Sequence, residues 1–167
     1  MRLDLEEILA AADARSLDPA LARRLIGLVD LTSLAGDETP DAITALAREA
    51  VEHGVAALCV LPAALPTAAP VLAGSPVRLA TVANFPHGGD DLARAADEVA
   101  AAVALGADEV DVVAPLEAAL SGDVGLVGEL VEICRAAAGP KTTLKLILEP
   151  GRLERPELIT AVARSAV

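Results

Sequence analysis

Asp111 and Lys145 are the residues of this chain whose types and spacing could do chemistry together, with Asp30 a further candidate for the same interior. Asp111 lies in GADEVDVVAP (106–115), between Val110 and Val112, in a run that otherwise reads as a buried strand. A carboxylate there is costly unless something pairs with it or uses it. Strand alternation puts Glu109, Asp111 and Val113 on one face and Val110 and Val112 on the other. In TLKLILEP (143–150), Thr143, Lys145, Ile147 and Glu149 likewise share a face. If the two strands are neighbours, as consecutive βα units usually are, Asp111 and Lys145 meet inside, with Asp30 close by. An ammonium among carboxylates keeps its proton, whereas crowded carboxylates raise one another's pKa. Such a group is suited to relaying protons. The same three residues also read as a structural ion pair plus a turn-capping aspartate.

Other polar residues fall late in strands or in the loops after them, where a parallel α/β fold binds its ligand. Asp30 and Thr32 close the first strand in this reading, Cys59 lies late in the second, and Asn84 and His87 finish the third. Cys59 is most simply a small buried apolar residue, and His87 a loop-shaping one. His53, just before Gly54, sits where it favours a helix dipole. Asp90 or Asp91 caps the next helix, and Glu149 before Pro150 reads as a turn residue or a ligand.

The elements that must position these residues alternate. Strand candidates are LIGLVDLT (25–32), AALCVLP (56–62), VRLATVANFP (77–86), EVDVVAP (109–115) and TLKLILEP (143–150). TPDAITALAREAVEHG carries helix punctuation, with Thr39 as N-cap, Pro40 in the first turn and Gly54 as a stop. DDLARAADEVAAAVALG and DVGLVGELVEICRAAAG end at Gly106 and Gly139. AALPTAAPVLAG is a weaker helix because Pro66 and Pro70 interrupt it. A helix over 3–13, another over 18–25 and a last one from Pro156 complete the pattern. Five strands apolar on both faces, with helical crossovers, predict a parallel sheet. The loop after strand one, TSLAGDETP, lacks the glycines of a nucleotide-binding doubly wound sheet, so an incomplete eight-stranded barrel fits better.

Composition narrows the partners. A formal charge of −12, with two lysines against eleven arginines, argues against nucleic acid or an anionic membrane. Phe85 is the only aromatic residue, so no base-stacking platform exists. Charged residues, Gly or Pro break every apolar run before it could span a bilayer, and the start of the chain is acidic. A soluble, cytoplasmic protein is expected, with Cys59 and Cys134 reduced. His53 and His87 have no second His or Cys nearby at metal-ligand spacing, so a His-rich zinc site is not expected.

LVDLTSL, AALCVLP, VRLATVANFPHGGDD, GADEVDVVAP and TLKLILEPGRL, in that order and spacing, resemble the class I deoxyribose-phosphate aldolases from about residue 25 onward. The resemblance implies a (β/α)8 TIM-type barrel of which this chain holds the first five βα units. Residues 1–24 would be an N-terminal helical extension and 25–167 the partial barrel domain. It implies reversible cleavage of 2-deoxy-D-ribose 5-phosphate to D-glyceraldehyde 3-phosphate and acetaldehyde, through a lysine Schiff base and without a cofactor. Under it Asp111 shuttles protons around the Schiff base through water, and Lys145 supports the site without forming the imine. Asp30, Thr32 and Cys59 line the substrate pocket. The Schiff-base lysine of the family stands on strand six and is expected beyond Val167, as are the phosphate loops. The 167-residue chain alone is therefore expected to be inactive. A small phosphorylated sugar is the expected partner, together with self-association into a homo-oligomer. Two other readings stay open: an inactive barrel remnant acting through self-association, and a rerouted lyase in which Lys145 forms the imine. The latter needs a depressed lysine pKa, which Asp111 opposes.

Overall fold

The computed structural model describes residues 18–166, so the helix expected over 3–13 lies outside the described residues. Helix α1 (Pro19–Ile26) starts where Asp18 accepts a hydrogen bond from the Ala20 amide at 2.9 Å, with a proline in the first turn. Strand β1 (Asp30–Ser33) begins five residues later than the apolar run suggested. Leu25 and Ile26 finish α1 instead, because short apolar runs fit either element and the Asp18–Pro19 start signal decides. Asp30 consequently opens β1 rather than closing it.

The remaining elements follow their punctuation closely. Helix α2 (Pro40–His53) is capped by Thr39, which accepts from the Ala42 amide at 3.2 Å, and stops at the left-handed Gly54. After β2 (Ala57–Val60) and a 3-10 turn over Pro62–Ala64 comes α3 (Leu65–Leu72). Pro70 does not prevent α3, because Leu65, Ala68 and Leu72 are buried against the sheet and packing outweighs propensity. Strand β3 (Arg78–Ala83) leads to α4 (Leu92–Ala104), where Asp91 supplies the cap. Strand β4 (Glu109–Val113) is followed by α5 (Leu116–Ser121) and α6 (Val124–Ala138), the latter capped by Asp123. Strand β5 (Thr143–Ile147) precedes α7 (Pro150–Leu153) and α8 (Pro156–Ser165).

The five strands form one parallel sheet in the order β1-β2-β3-β4-β5. Buried residues of α2, α3, α4 and α6 join Leu58, Val60, Leu79, Val110 and Val112 in a single core cluster. Those strand residues alternate with the ones that carry chemistry, so the crossover helices cover one face of the sheet only. A doubly wound sheet would reverse its strand order and carry helices on both faces. Monotonic order with one-sided helices is the arrangement of a barrel wall, here a partial one. A second cluster of Leu116, Val127, Leu153, Leu158 and Val162 seats α5, α7 and α8. The concave face is lined by small residues, Ala57, Cys59, Ala80 and Val82, which leave room for the charged ones.

Candidate active site

Asp111 and Lys145 are direct cross-strand partners in the β4–β5 register, so their side chains leave the sheet side by side. Lys145 Nζ donates to Asp30 Oδ2 at 2.8 Å and lies 3.1 Å from both Glu109 Oε2 and Asp111 Oδ1. Asp30 is on β1, at the opposite edge of the sheet and without strand pairing to β5. Its contact with Lys145 shows that the sheet curls until its first and last strands face each other across the concave side. Glu109 has a second cation: its Oε1 sits 2.8 Å from Arg78 Nε, at the start of β3.

Three carboxylates thus surround one ammonium. Burial is the largest single influence on Lys145 and favours the neutral amine. Asp30, Glu109 and Asp111 together outweigh it and hold the ammonium above the ordinary lysine range. Asp111 moves upward too, because burial and the charges of Asp30 and Glu109 prevail over the pull of Lys145. Its Oδ1 is buried and lies 3.1 Å from Nζ, with no other polar partner among the described residues. The contact with Nζ is an ion pair, and a carboxylate oxygen with that single partner can accept one further hydrogen bond. An aspartate with raised proton affinity, held by a single fixed cation, is equipped to take up and return a proton.

Cys59 lies on the same face, buried, with its thiol pushed up to about 11 by burial and then by Asp111. It is a neutral thiol at physiological pH and packs as an apolar group. Thr32 pairs with Cys59 in register but is exposed, and its Oγ1 donates only to the Asp30 carbonyl, at 3.0 Å. Of the expected site residues, Asp30, Asp111 and Lys145 are therefore brought into contact, Cys59 flanks them, and Thr32 stands at the exposed rim. His87 is exposed in its loop, His53 ends α2, and Glu149 opens α7 with its carboxylate 3.6 Å from Arg152. Cys134 is buried in α6 on the outer side of the sheet, away from Cys59, and both thiols are free.

Arg78 and the bridging role of Glu109 were not foreseen. The signal was present: Arg78, Ala80 and Val82 alternate onto the concave face, and Ala80 pairs with Glu109. The three acids of GADEVDVVAP divide their work accordingly. Asp108 Oδ2 accepts from the Leu79 amide at 2.9 Å and fixes the entry of β4 against β3, whereas Glu109 and Asp111 serve the cluster.

Two loops frame this face. Asn84, fully buried and left-handed at φ 53, donates from Nδ2 to the carbonyls of Gly89 at 2.8 Å and Val113 at 3.0 Å. Its Oδ1 accepts from the Gly89 amide and from Arg94. The loop after β3 is thereby clamped to the end of β4. Gly88 lies so close that a Cβ there would fall 2.0 Å from the Ala114 carbonyl oxygen. In the loop after β1, Glu38 accepts from Ser33 Oγ and from the amides of Ala35 and Gly36, both at 2.9 Å. These bonds, that of Ser33 first, lower its pKa from 4.5 to about 2. Backbone amides that could cradle a phosphate in a nucleotide-binding sheet are occupied here by the chain's own carboxylate.

A family model described as DeoC/LacD family aldolase matches residues 24–163. The chain belongs to the DeoC/LacD aldolase family. Solved structures of similar fold include a Coccidioides immitis protein assigned as a deoxyribose-phosphate aldolase, at 24% identity and a TM-score of 0.80. That match covers 98% of this chain and 68% of that one. A Toxoplasma gondii ME49 protein with the same assignment matches at 24% identity and a TM-score of 0.78, over 87% of this chain and 57% of its own. The tetrameric deoxyribose phosphate aldolase of Aeropyrum pernix matches at 23% identity and a TM-score of 0.76, over 98% and 67%. The chain thus spans between 57% and 68% of the length of these structures. For this DeoC/LacD family chain they establish a shared barrel wall of five βα units. Among the described residues no helix is long and apolar enough to cross a membrane.

Proposed function

We propose that this chain supplies the proton-relay wall of a deoxyribose-phosphate aldolase, which reversibly cleaves 2-deoxy-D-ribose 5-phosphate to D-glyceraldehyde 3-phosphate and acetaldehyde through a lysine imine. The observation that carries the reading is the Lys145 ammonium held between Asp30, Glu109 and Asp111, with Asp111 Oδ1 paired to nothing else among the described residues. Imine formation turns the substrate into an electron sink; cleavage then needs a base for the substrate hydroxyl proton and an acid for the enamine carbon. Asp111 fills that role through a bridging water. Lys145, anchored by Asp30, stays cationic and steadies the Asp111 carboxylate each time it gives up its proton.

The imine lysine in this reading stands outside these residues. An ammonium is no nucleophile, and the three carboxylates around Lys145 keep it protonated. Lys141, the other lysine, is exposed in the turn before β5, at the opposite end of that strand from the loops that bind ligands. The phosphate grip also falls outside, since the cluster carries three carboxylates against Lys145 and Arg78. A cytoplasmic location accords with the two free, buried cysteines.

Borohydride trapping tests the proposal. Protein purified from its native source is treated with deoxyribose 5-phosphate and borohydride, alongside the 167-residue chain, and both are read by intact mass spectrometry. The expected outcome is a reduced adduct on a species heavier than the chain and none on the chain itself. An adduct mapped to Lys145 or Lys141 would overturn the assignment in favour of a rerouted lyase. No adduct on either sample would overturn the aldolase reading.

A further inference from the structure

We propose that Arg78 and Glu109 act as a positioning pair that sets how much of the Lys145 charge reaches Asp111. Glu109 splits its carboxylate, with one oxygen 3.1 Å from Lys145 Nζ and the other 2.8 Å from Arg78 Nε. Asp111, two residues along the same strand face, approaches the same ammonium at the same 3.1 Å. The two acids therefore compete for one cation, and only Glu109 has a second to fall back on. Glu109 is the most enclosed of the group, with a side chain 13% exposed, whereas that of Arg78 is 48% exposed. An enclosed carboxylate between two cations transmits a change in one to the other, because solvent screens it little.

The charged and titratable groups that face Asp111 are Asp30 on β1, Cys59 on β2, Glu109 on its own strand β4 and Lys145 on β5. β3 contributes uncharged Val82 opposite Asp111, and its only cation, Arg78, acts through Glu109. Removing Arg78 leaves the full negative charge of Glu109 beside Asp111 and draws Lys145 toward Glu109. Both changes raise the proton affinity of Asp111. Removing the Glu109 charge does the reverse: it deletes a like charge and frees Lys145 for Asp111.

The use of this device rests on Asp111 being the proton carrier, but its test does not. Carboxyl carbon NMR titration of the 167-residue protein, with Asp111→Asn assigning the resonance, reads the Asp111 midpoint directly and needs no substrate. Glu109→Gln is expected to lower the midpoint and Arg78→Gln to raise it, each by more than about half a pH unit. Arg78→Lys is expected to return it most of the way. Midpoints that stay put, or that move together in both variants, would overturn the proposal, and so would an Arg78→Gln shift that persists undiminished in the Glu109→Gln background, because a direct through-space effect of the arginine has no need of Glu109. Opposed shifts without any imine trapping would leave the pair standing and remove only the aldolase reading.

Discussion

Lys145 is the residue on which the site depends most. Its ammonium compensates three carboxylates, so Lys145→Met would leave Asp30, Glu109 and Asp111 facing one another. Breaking a fully buried pair costs about 3–5 kcal/mol; the one-third exposure of this lysine reduces the expected loss to about 1–3 kcal/mol. That loss is expected in urea unfolding at neutral pH and should shrink in acid, where the carboxylates protonate. Asp111 in the native protein gives the same sign on its own. Its folded pKa is raised above 3.8, so the folded state holds the proton longer, and stability falls as pH rises from there through the folded value. Glu38 has the opposite sign. Its pKa is lowered from 4.5 to about 2, so the stabilisation is present above 4.5 and is lost as pH falls toward 2. The Ala35 and Gly36 amides should lose hydrogen-exchange protection across that interval while the core strands keep theirs.

At the level of elements, the loop after β3 is the part that sequence patterns describe least. Asn84 reads as a polar residue at a strand end. In the fold its amide ties Gly89, Val113 and Arg94 together. Asn84→Ala would orphan the buried Val113 carbonyl and the half-buried Gly89 carbonyl, and place alanine at φ 53. The expected destabilisation is about 2–4 kcal/mol by denaturant titration, at the high end for one substitution. Retention of full stability would mean that the loop is held by Gly88 packing alone. Strand β1 is the other lesson at this scale. Its apolar approach, Leu25 to Val29, looks like strand, yet half of it ends a helix and the rest is exposed.

At the level of the molecule, β1 and β5 each have a strand partner on one side only among the described residues. Next to the β1 edge, Leu25, Leu28 and Val29 are 54%, 77% and 50% exposed. An open edge beside an apolar patch favours association. The isolated chain is expected to sediment as a concentration-dependent oligomer, and Leu28→Glu to shift it toward monomer. A wild-type chain that stays monomeric at high concentration would show that the patch is dispensable for solubility. This association is compatible with either the aldolase reading or the remnant reading, since both leave the same edge exposed in the isolated chain.

The sequence by itself determined the alternation of strand and helix, the helix cap at Thr39, a second cap at Asp90 or Asp91, and the placement of Asp111 and Lys145 on one face of adjacent strands. These are local or nearest-neighbour properties: hydrophobic period, capping chemistry and consecutive pairing. Only the tertiary structure decided that the sheet curls far enough for Asp30 to reach Lys145 across 115 residues of chain. It also decided that Arg78 joins the cluster through Glu109, and that Asn84 is a clamp rather than a strand-end polar residue. Those outcomes depend on accumulated sheet curvature and on backbone groups brought together from distant loops, and no window of sequence contains them.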